Sequence, residues 1–163
     1  MTEDQKEKFA QEKQRLLQNN SLILATVNAE GQPLASSTPF VTQGEDFYIF
    51  ISNKLSPHTQ NLLACATANI LLVEDESLCR NNFARARMNL NVEAQTVSRD
   101  DEVYLEVIDL MQAKHGATVE LLKGMADFIM FKLVPAESRL VLGFGQAFAF
   151  EAGKDNEATH ITE

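Results

Sequence analysis

The residues best suited to binding an anion are arginines in a short acid-free stretch of the sequence. Residues 77–92 contain three arginines and no acidic side chain, although the whole chain has a net charge of −9. Two of them, Arg85 and Arg87, would share one face of a strand and could hold one phosphate or carboxylate together. Lys54, in a loop rich in hydroxyls, is a further candidate. The alternative is that these cations are solvated and balance surface acids, as exposed charges commonly do.

Other polar residues could contact or support a ligand. Ser36, Ser37 and Thr38 form a run of hydroxyls on a predicted strand, where alternate side chains face opposite ways. They favour either ligand contacts or the ordinary role of polar residues that suit a strand. Asp127 directly precedes an apolar segment. Its carboxylate could orient a histidine, or accept hydrogen bonds from nearby backbone amides.

Each histidine stands alone in the sequence. His58 follows a proline at the predicted start of a helix, His115 lies at a predicted helix end, and His160 lies near the C-terminus. The spacings of the histidines, and of the two cysteines Cys65 and Cys79, do not match a zinc site. Taken one at a time, each histidine is better explained by a structural role than by metal binding.

Composition excludes several classes of protein. With 23 acidic and 14 basic residues, the chain lacks the cationic surface that non-specific nucleic-acid binding needs. It has no apolar run of the ~20 residues that span a membrane as a helix, and its N-terminal segment lacks the apolar core of a secretory signal. Two cysteines make no disulfide framework. We therefore expect a cytoplasmic protein that binds neither nucleic acid nor membrane.

Hydrophobic periodicity predicts a mainly β domain with helices packed around it. Helices are expected over residues 1–18, after Ser56, over Asp100–Lys114 and at Val119–Leu122. The expected strands are Ser21–Ala29, Pro33–Thr42, Phe47–Ser52, Ala68–Glu74, Met88–Val97, Asp127–Val134 and Arg139–Phe148. Tight turns join the early strands, which favours an antiparallel meander and a sheet closed into a small barrel. The barrel domain would cover residues 1–148, and residues 149–163 would form a mobile tail.

Four local features add detail to this prediction. Pro39 cannot donate to a strand ladder and indicates an edge strand or a bulge. The nearly all-apolar segment Ala68–Glu74 indicates a strand buried on both faces. The N-terminal helix has few apolar residues and is expected to contribute little core. Gly143 and Gly145 lack the third glycine of a phosphate-binding fingerprint and indicate a bend.

The order of several segments resembles a known superfamily, the FMN-binding split barrels. Within it, the sequence is most similar to the HugZ/HutZ-type haem-utilization proteins, which are relatives of pyridoxamine phosphate oxidase. The segments that carry the resemblance are Leu22–Val27, Pro39–Val41, Phe47–Ser52, Leu55–Leu62, Leu72–Asp75, Asn82–Arg85 with Arg87, Gly124–Phe128 and Leu142–Ala147. The part around His58 and the stretch from Asn82 to Arg87 are the most specific.

The resemblance implies a homodimer of antiparallel split barrels with ligand sites between the subunits. In members related to the oxidases the ligand is FMN, and its phosphate would be held here by Arg85, Arg87, Lys54 and the run Ser36, Ser37 and Thr38. In the haem-utilization members the ligand is haem. Its iron would be held by a tail histidine, here His160, supported by an aspartate of the other subunit, here Asp127. The positions of His58 and Arg87 are also implicated, and His160 is matched only by its place in the tail and its residue type.

Three functions follow from these alternatives. The first is oxidative degradation of haem with release of iron, in which His160 is the iron ligand, Asp127 orients it, and Arg87 and its basic neighbours lie near the haem propionates. The second is an FMN-dependent oxidoreductase of the pyridoxamine-phosphate-oxidase type. The third is a haem store or carrier without turnover. In each case the partner is a small anionic ligand.

Overall fold

The structure, a computed structural model, describes residues 1–161. The strands are β1 (Ser21–Val27), β2 (Pro33–Pro39), β3 (Val41–Gln43), β4 (Asp46–Ser52), β5 (Thr67–Val73), β6 (Arg87–Val97), β7 (Phe128–Gly143), β8 (Gln146–Glu151) and β9 (Thr159–His160). The helices are α1 (Glu3–Leu17), α2 (Pro57–Ala64), α3 (Glu102–His115) and α4 (Thr118–Lys123). Short 3-10 turns lie at Glu76–Leu78, Asn82–Ala84 and Asp155–Glu157.

The strands form one sheet in the order β2-β1-β5-β6-β7-β4-β3, while β8 pairs with β7 and β9 pairs with β8. Every strand pair among residues 1–161 is antiparallel. The long strand β7 pairs with β4 along its first part and with β8 along its second. These pairings confirm the prediction of a mainly antiparallel β fold with flanking helices.

The first strands do not form the expected meander. β1 and β2 are a hairpin, but the chain leaves the β2 ladder at Phe40, whose side chain is fully buried. The expected strand Pro33–Thr42 is therefore two strands, and β4 pairs with β3 and β7 instead of β2. β2 ends the sheet order, so Pro39 lies on an edge strand as predicted.

The last large strands also differ in their bounds from the prediction. β7 continues without interruption through Pro135 and ends at Gly143, so the expected strands Asp127–Val134 and Arg139–Phe148 overlap one strand. A tight turn then leads to β8. The turn requires positive φ at Gly145, where φ is 62°, and the bend predicted for this glycine pair is confirmed.

The larger part of the core lies on the inward face of the sheet, and a second buried cluster joins α3 and α4 to the other face of β4. Along β6 buried and exposed residues alternate, as the period-two pattern predicts. β5 follows the same alternation of buried and less buried residues. In the single subunit, therefore, the prediction that this strand is buried on both faces is wrong. α1 contributes more core than expected, because Phe9 and Leu16 are both only 1% exposed. Phe9 packs edge-on against the rings of Phe148 and Phe150.

The segment expected to be a mobile tail is paired with the sheet over the residues that the structure describes. It contains the end of β8, the 3-10 turn Asp155–Glu157 and β9. Ala158 is buried in the core, and Lys13 of α1 forms a salt bridge with Asp155. Among residues 1–161, none of the helices is long and apolar enough to cross a membrane.

Candidate functional site

Asp127, the residue before β7, is held next to the end of β4 by a short hydrogen bond from Ser52. The register of β4 and β7 places Ser52 opposite Phe128, which brings the preceding Asp127 next to the loop that leaves β4. The Ser52 hydroxyl donates to Oδ2 of Asp127 at 2.5 Å, and the backbone N–H of Lys54 approaches the same oxygen at 3.4 Å. The other oxygen, Oδ1, is buried and lacks a hydrogen-bond partner within residues 1–161.

His58 brings a second unpartnered atom to the α2 end of the same loop. Its Nε2 is buried without a hydrogen-bond partner in the described chain. Burial lowers the pKa of His58, which favours the neutral imidazole. α2 is fixed to β4 next to this residue, because the Thr59 hydroxyl donates to the Ser52 carbonyl at 2.7 Å. Since buried polar atoms are almost always paired, His58 Nε2 and Asp127 Oδ1 are each open to a further partner, such as water or a ligand.

Arg99 supports the segment that carries Asp127, a role that no pattern in the sequence indicates. Its guanidinium donates to the carbonyls of Lys123, Met125 and Phe128 at 2.8, 2.7 and 3.1 Å. These carbonyls flank Asp127 on both sides. An arginine that binds carbonyls 24 to 29 residues away leaves no local pattern that could have revealed it.

The two candidate arginines lie together at the start of β6. β6 begins at Arg87, and Arg85 lies just before it, with the buried Ala86 between them. Both side chains are therefore on the outward side, as expected from their spacing. Arg85 Nε donates to the Glu74 carbonyl at 2.6 Å, and Arg87 Nη1 donates to the Arg85 carbonyl at 2.9 Å. Arg87 is exposed and has charge available for a ligand.

Only one hydroxyl of the run on β2 faces the same region as these arginines. Ser37 and Arg85 line a surface depression of about 790 Å³ on the outward side of β1 and β5. Thr38 is turned inward, is 3% exposed and donates to the Pro39 carbonyl at 3.3 Å. The Ser36 hydroxyl lies 3.4 Å from the Leu24 carbonyl and donates to it. The alternation expected along the run is thus present, and it separates Ser37 from its neighbours.

The depression opens on a broad face of the sheet, which we call the outer face. It is formed by the outward residues of β2, β1, β5 and β6. The strand registers place Ser37, Ile23, Leu71 and Asn89 side by side across it. Beside this row, the amide of Asn69 donates to Asn89 and Asn91 at 2.8 and 2.9 Å. The outer face therefore combines apolar side chains, a carboxamide cluster and the two arginines.

His160 lies in β9. Within the described chain, no hydrogen bond joins it to Asp127. Its Nε2 lies 2.7 Å from the Gly145 carbonyl oxygen, and its ring packs on Phe148 with centroids 5.1 Å apart. Lys54 and Asp127 thus form one group around Ser52, and His58 lies next to this group in sequence, one residue before Thr59. Within residues 1–161, no hydrogen bond or salt bridge links this group to His160 or to the arginines of the outer face.

Comparisons with known proteins identify the family of this chain. The family model for pyridoxamine 5′-phosphate oxidase matches residues 9–142. The haem oxygenase HutZ of Vibrio cholerae is 34% identical over 146 residues, which is 90% of this chain and 82% of the relative. Among solved structures, HutZ from Vibrio cholerae, there described as a haem storage protein, has a TM-score of 0.76 and 32% identity. That match covers 83% of this chain and 94% of HutZ.

Campylobacter jejuni ChuZ is also similar, with a TM-score of 0.82 and 31% identity over 93% of this chain. The chain spans 61% of the ChuZ chain, so ChuZ contains a substantial part with no counterpart here. The resemblance predicted from the sequence is confirmed, and with it the split-barrel fold. The chain belongs to the pyridoxamine 5′-phosphate oxidase family, in which it is a HutZ-type haem-utilization protein.

Proposed function

We propose that this chain binds haem and degrades it oxidatively, which releases the iron. The observation that carries the proposal is the buried Oδ1 of Asp127, which has no hydrogen-bond partner among residues 1–161. A carboxylate oxygen in this state is a ready acceptor for the N–H of an imidazole, and carboxylate-bound histidine is the usual arrangement behind a metal-ligating ring. Relatives described as a haem oxygenase and a haem storage protein support the same ligand.

The residues present fit haem. Haem has a flat apolar ring and two carboxylates, so it needs an apolar surface bordered by cations. The outer face offers Ile23, Leu71 and Val73 next to Arg85, all of them lining the same depression, whose lining also includes the acidic Asp75 and Glu76. Arg85 and Arg87 would bind the propionates, since guanidinium pairs well with carboxylates. Of the hydroxyls in the β2 run, Ser37 would contact haem bound on the outer face, whereas Thr38 would have a structural role only.

His160 would be the iron ligand in this proposal. Neutral imidazole binds haem iron, and a hydrogen bond from its second nitrogen to Asp127 would raise its basicity. When bound, haem supplies the redox-active iron at which oxygen chemistry takes place. The chain's own residues would bind and orient the ring: His160 at the iron, Asp127 behind it with Lys54 at its side, and His58 at the start of α2.

We further propose that the site is completed in a homodimer. His160 and Asp127 share no contact within the described chain, whereas an aspartate from a partner subunit would supply the missing acceptor. The outer face supports this, because Ile23 is 36% exposed in the monomer and lies in a row of apolar and carboxamide side chains. An exposed apolar side chain at the centre of a sheet face is a suitable contact point for a second subunit.

The proposed location is the cytoplasm. Cys65 and Cys79 are both free thiols, as is usual in a reducing compartment. The small anionic ligand that the protein would bind in the cytoplasm is haem, or FMN as the wider family suggests.

The first test is a haem titration followed by absorption spectroscopy. The wild type should show a shifted Soret band, and His160→Ala should lose that shift. The matched control is His115→Ala, which removes a histidine bound to the Phe40 carbonyl at 2.9 Å, away from the proposed site. Unchanged haem binding in His160→Ala, or equal loss in both variants, would contradict the assignment of His160.

Turnover is tested on the same haem complex. Addition of ascorbate or peroxide should convert the bound haem to verdohaem or biliverdin and release iron. A stable haem spectrum under these conditions would mean that the chain is a store or carrier. A yellow protein as purified, with a flavin spectrum and no haem binding, would instead support an FMN-dependent oxidoreductase.

A further inference from the structure

Ser52 joins three parts of the chain at the proposed site. Its side chain is buried, with 6% of the residue exposed. The hydroxyl donates to Asp127 at 2.5 Å and accepts from the backbone N–H of Leu55 at 3.0 Å. Its carbonyl accepts from the Thr59 hydroxyl at 2.7 Å, and Thr59 is completely buried. The end of β4, the start of α2 and the residue before β7 thus meet at one serine.

These hydrogen bonds determine which way the Asp127 carboxylate faces. The Ser52 oxygen accepts from Leu55, so its own hydrogen is directed to Asp127 Oδ2. Lys54 N–H adds a longer contact to the same oxygen. With Oδ2 occupied from this side, Oδ1 remains as the acceptor, and it is buried without a partner in the described part of the chain. Without the serine hydroxyl the carboxylate could rotate about its Cβ–Cγ bond and exchange the two oxygens.

We propose that Ser52 is a positioning residue that holds Asp127 so that Oδ1 accepts the N–H of the iron-ligating histidine. This inference rests on the proposed haem function. Ser52 would act through Asp127, since it would itself touch neither haem nor the histidine. The sequence contains no motif for it, because Ser52 and Asp127 are 75 positions apart.

A double-mutant cycle tests the proposal. Haem affinity is measured by Soret titration for the wild type, Ser52→Ala, Asp127→Ala and the double variant. Loss of a carboxylate behind a metal ligand commonly costs about 10- to 100-fold in affinity. We expect Ser52→Ala to weaken haem binding by up to about tenfold, the low end of that range, because it disorders the carboxylate without removing it. The double variant should bind haem as weakly as Asp127→Ala alone.

Two further measurements separate positioning from simple stability. Ser52→Thr keeps a hydroxyl on a strand residue and should bind haem within about twofold of the wild type. The iron–histidine stretching frequency of the ferrous complex, measured by resonance Raman spectroscopy, should fall in Ser52→Ala and in Asp127→Ala and be restored in Ser52→Thr. This frequency reports on the hydrogen bond to the ligand ring, which a general loss of stability would not change.

The outcomes distinguish this inference from the proposed function. If the wild type does not bind haem, the proposed function itself fails. If the wild type binds haem but Ser52→Ala binds it equally well, the positioning role alone is overturned. It is also overturned if the Ser52→Ala effect persists undiminished in the Asp127→Ala background, because a merely structural serine would weaken binding whether or not the carboxylate is present.

Discussion

Nε2 of His160 lies 2.7 Å from the carbonyl oxygen of Gly145 in the same chain. A carbonyl oxygen can only accept a hydrogen bond, so this nitrogen carries the ring proton in the observed arrangement. A nitrogen that is protonated and bound to a carbonyl cannot also ligate iron. If His160 is the iron ligand through this nitrogen, the contact with Gly145 must open, which release of β9 from β8 would allow.

Weakening the β8–β9 pairing should therefore improve haem binding. The Ile161 N–H donates to the Ala147 carbonyl at 2.8 Å, next to His160. Ile161→Pro removes this donor, while proline still favours the extended conformation that His160 already has in β9. One such bond contributes about 0.5–1.5 kcal/mol, so we expect haem to bind about two- to tenfold more tightly in a titration.

The matched control for this variant is Ile161→Ala, which keeps the N–H but shortens the side chain. Its haem affinity should stay close to that of the wild type. Weaker binding by Ile161→Pro would mean that β9 has to remain paired for haem to bind. An equal gain in both variants would assign the effect to the lost side chain instead of the hydrogen bond.

The pairing of the tail illustrates what the sequence could not predict. Residues after Phe148 are mostly small or charged and carry no strand pattern. They are held by partners far away in the chain: Lys13 binds Asp155 across 142 positions, and Ala158 fills a place in the core. Contacts of this kind depend on the finished fold, so a local pattern cannot reveal them.

Prediction from sequence succeeded where one residue and its neighbours decide the structure. The alternation of β6 and the bend at Gly143 and Gly145 are local features, and each is present. The candidate site shows the limit. Asp127 and His58 were identified by residue type, but the hydrogen bond from Ser52 that orients Asp127 depends on strand register.

A charge in the middle of the outer face should prevent dimer formation. Ile23 lies between Ser37 and Leu71 in the row across this face. Ile23→Glu would place a carboxylate in the proposed interface, where an unpaired buried charge is strongly unfavourable. We expect the wild type to elute as a dimer in size-exclusion chromatography with light scattering, and Ile23→Glu as a monomer that binds haem weakly.

The control for the outer face is Leu105→Glu on α3. Leu105 is 56% exposed and lies on a helix outside the proposed interface, so this variant should elute like the wild type. A dimer in both variants would show that the subunits associate through a different surface.

Phe9 should be the main anchor of α1. It is 1% exposed, and its ring contacts those of Phe148 and Phe150 at centroid distances of 5.9 and 5.2 Å. Phe9→Ala should lower the free energy of unfolding in urea by about 3–5 kcal/mol, the usual cost of removing a buried phenyl ring. Gln14→Ala, an exposed change on the same helix, should stay within about 0.5 kcal/mol. Equal small effects would mean that α1 docks through other residues.

The buried His58 should make the protein less stable in mild acid. Burial lowers the pKa of His58 in the folded state, while in the unfolded chain it titrates near its ordinary value of about 6.5. Between these two pKa values the unfolded state binds more protons, so the free energy of unfolding falls as the pH falls. His58→Gln removes this titration and should lose less stability in urea unfolding between pH 7.5 and 5.5.

The alkaline side provides the internal control for the His58 prediction. Above pH 7.5 the imidazole is neutral in both states, so the difference in unfolding free energy between wild type and His58→Gln should not change up to pH 8.5. If that difference is also constant down to pH 5.5, the folded protein accepts the proton on His58 without penalty. The charged ring would then have access to solvent or to an acceptor. The interpretation that His58 Nε2 is buried and lacks a hydrogen-bond partner in the described chain would be wrong.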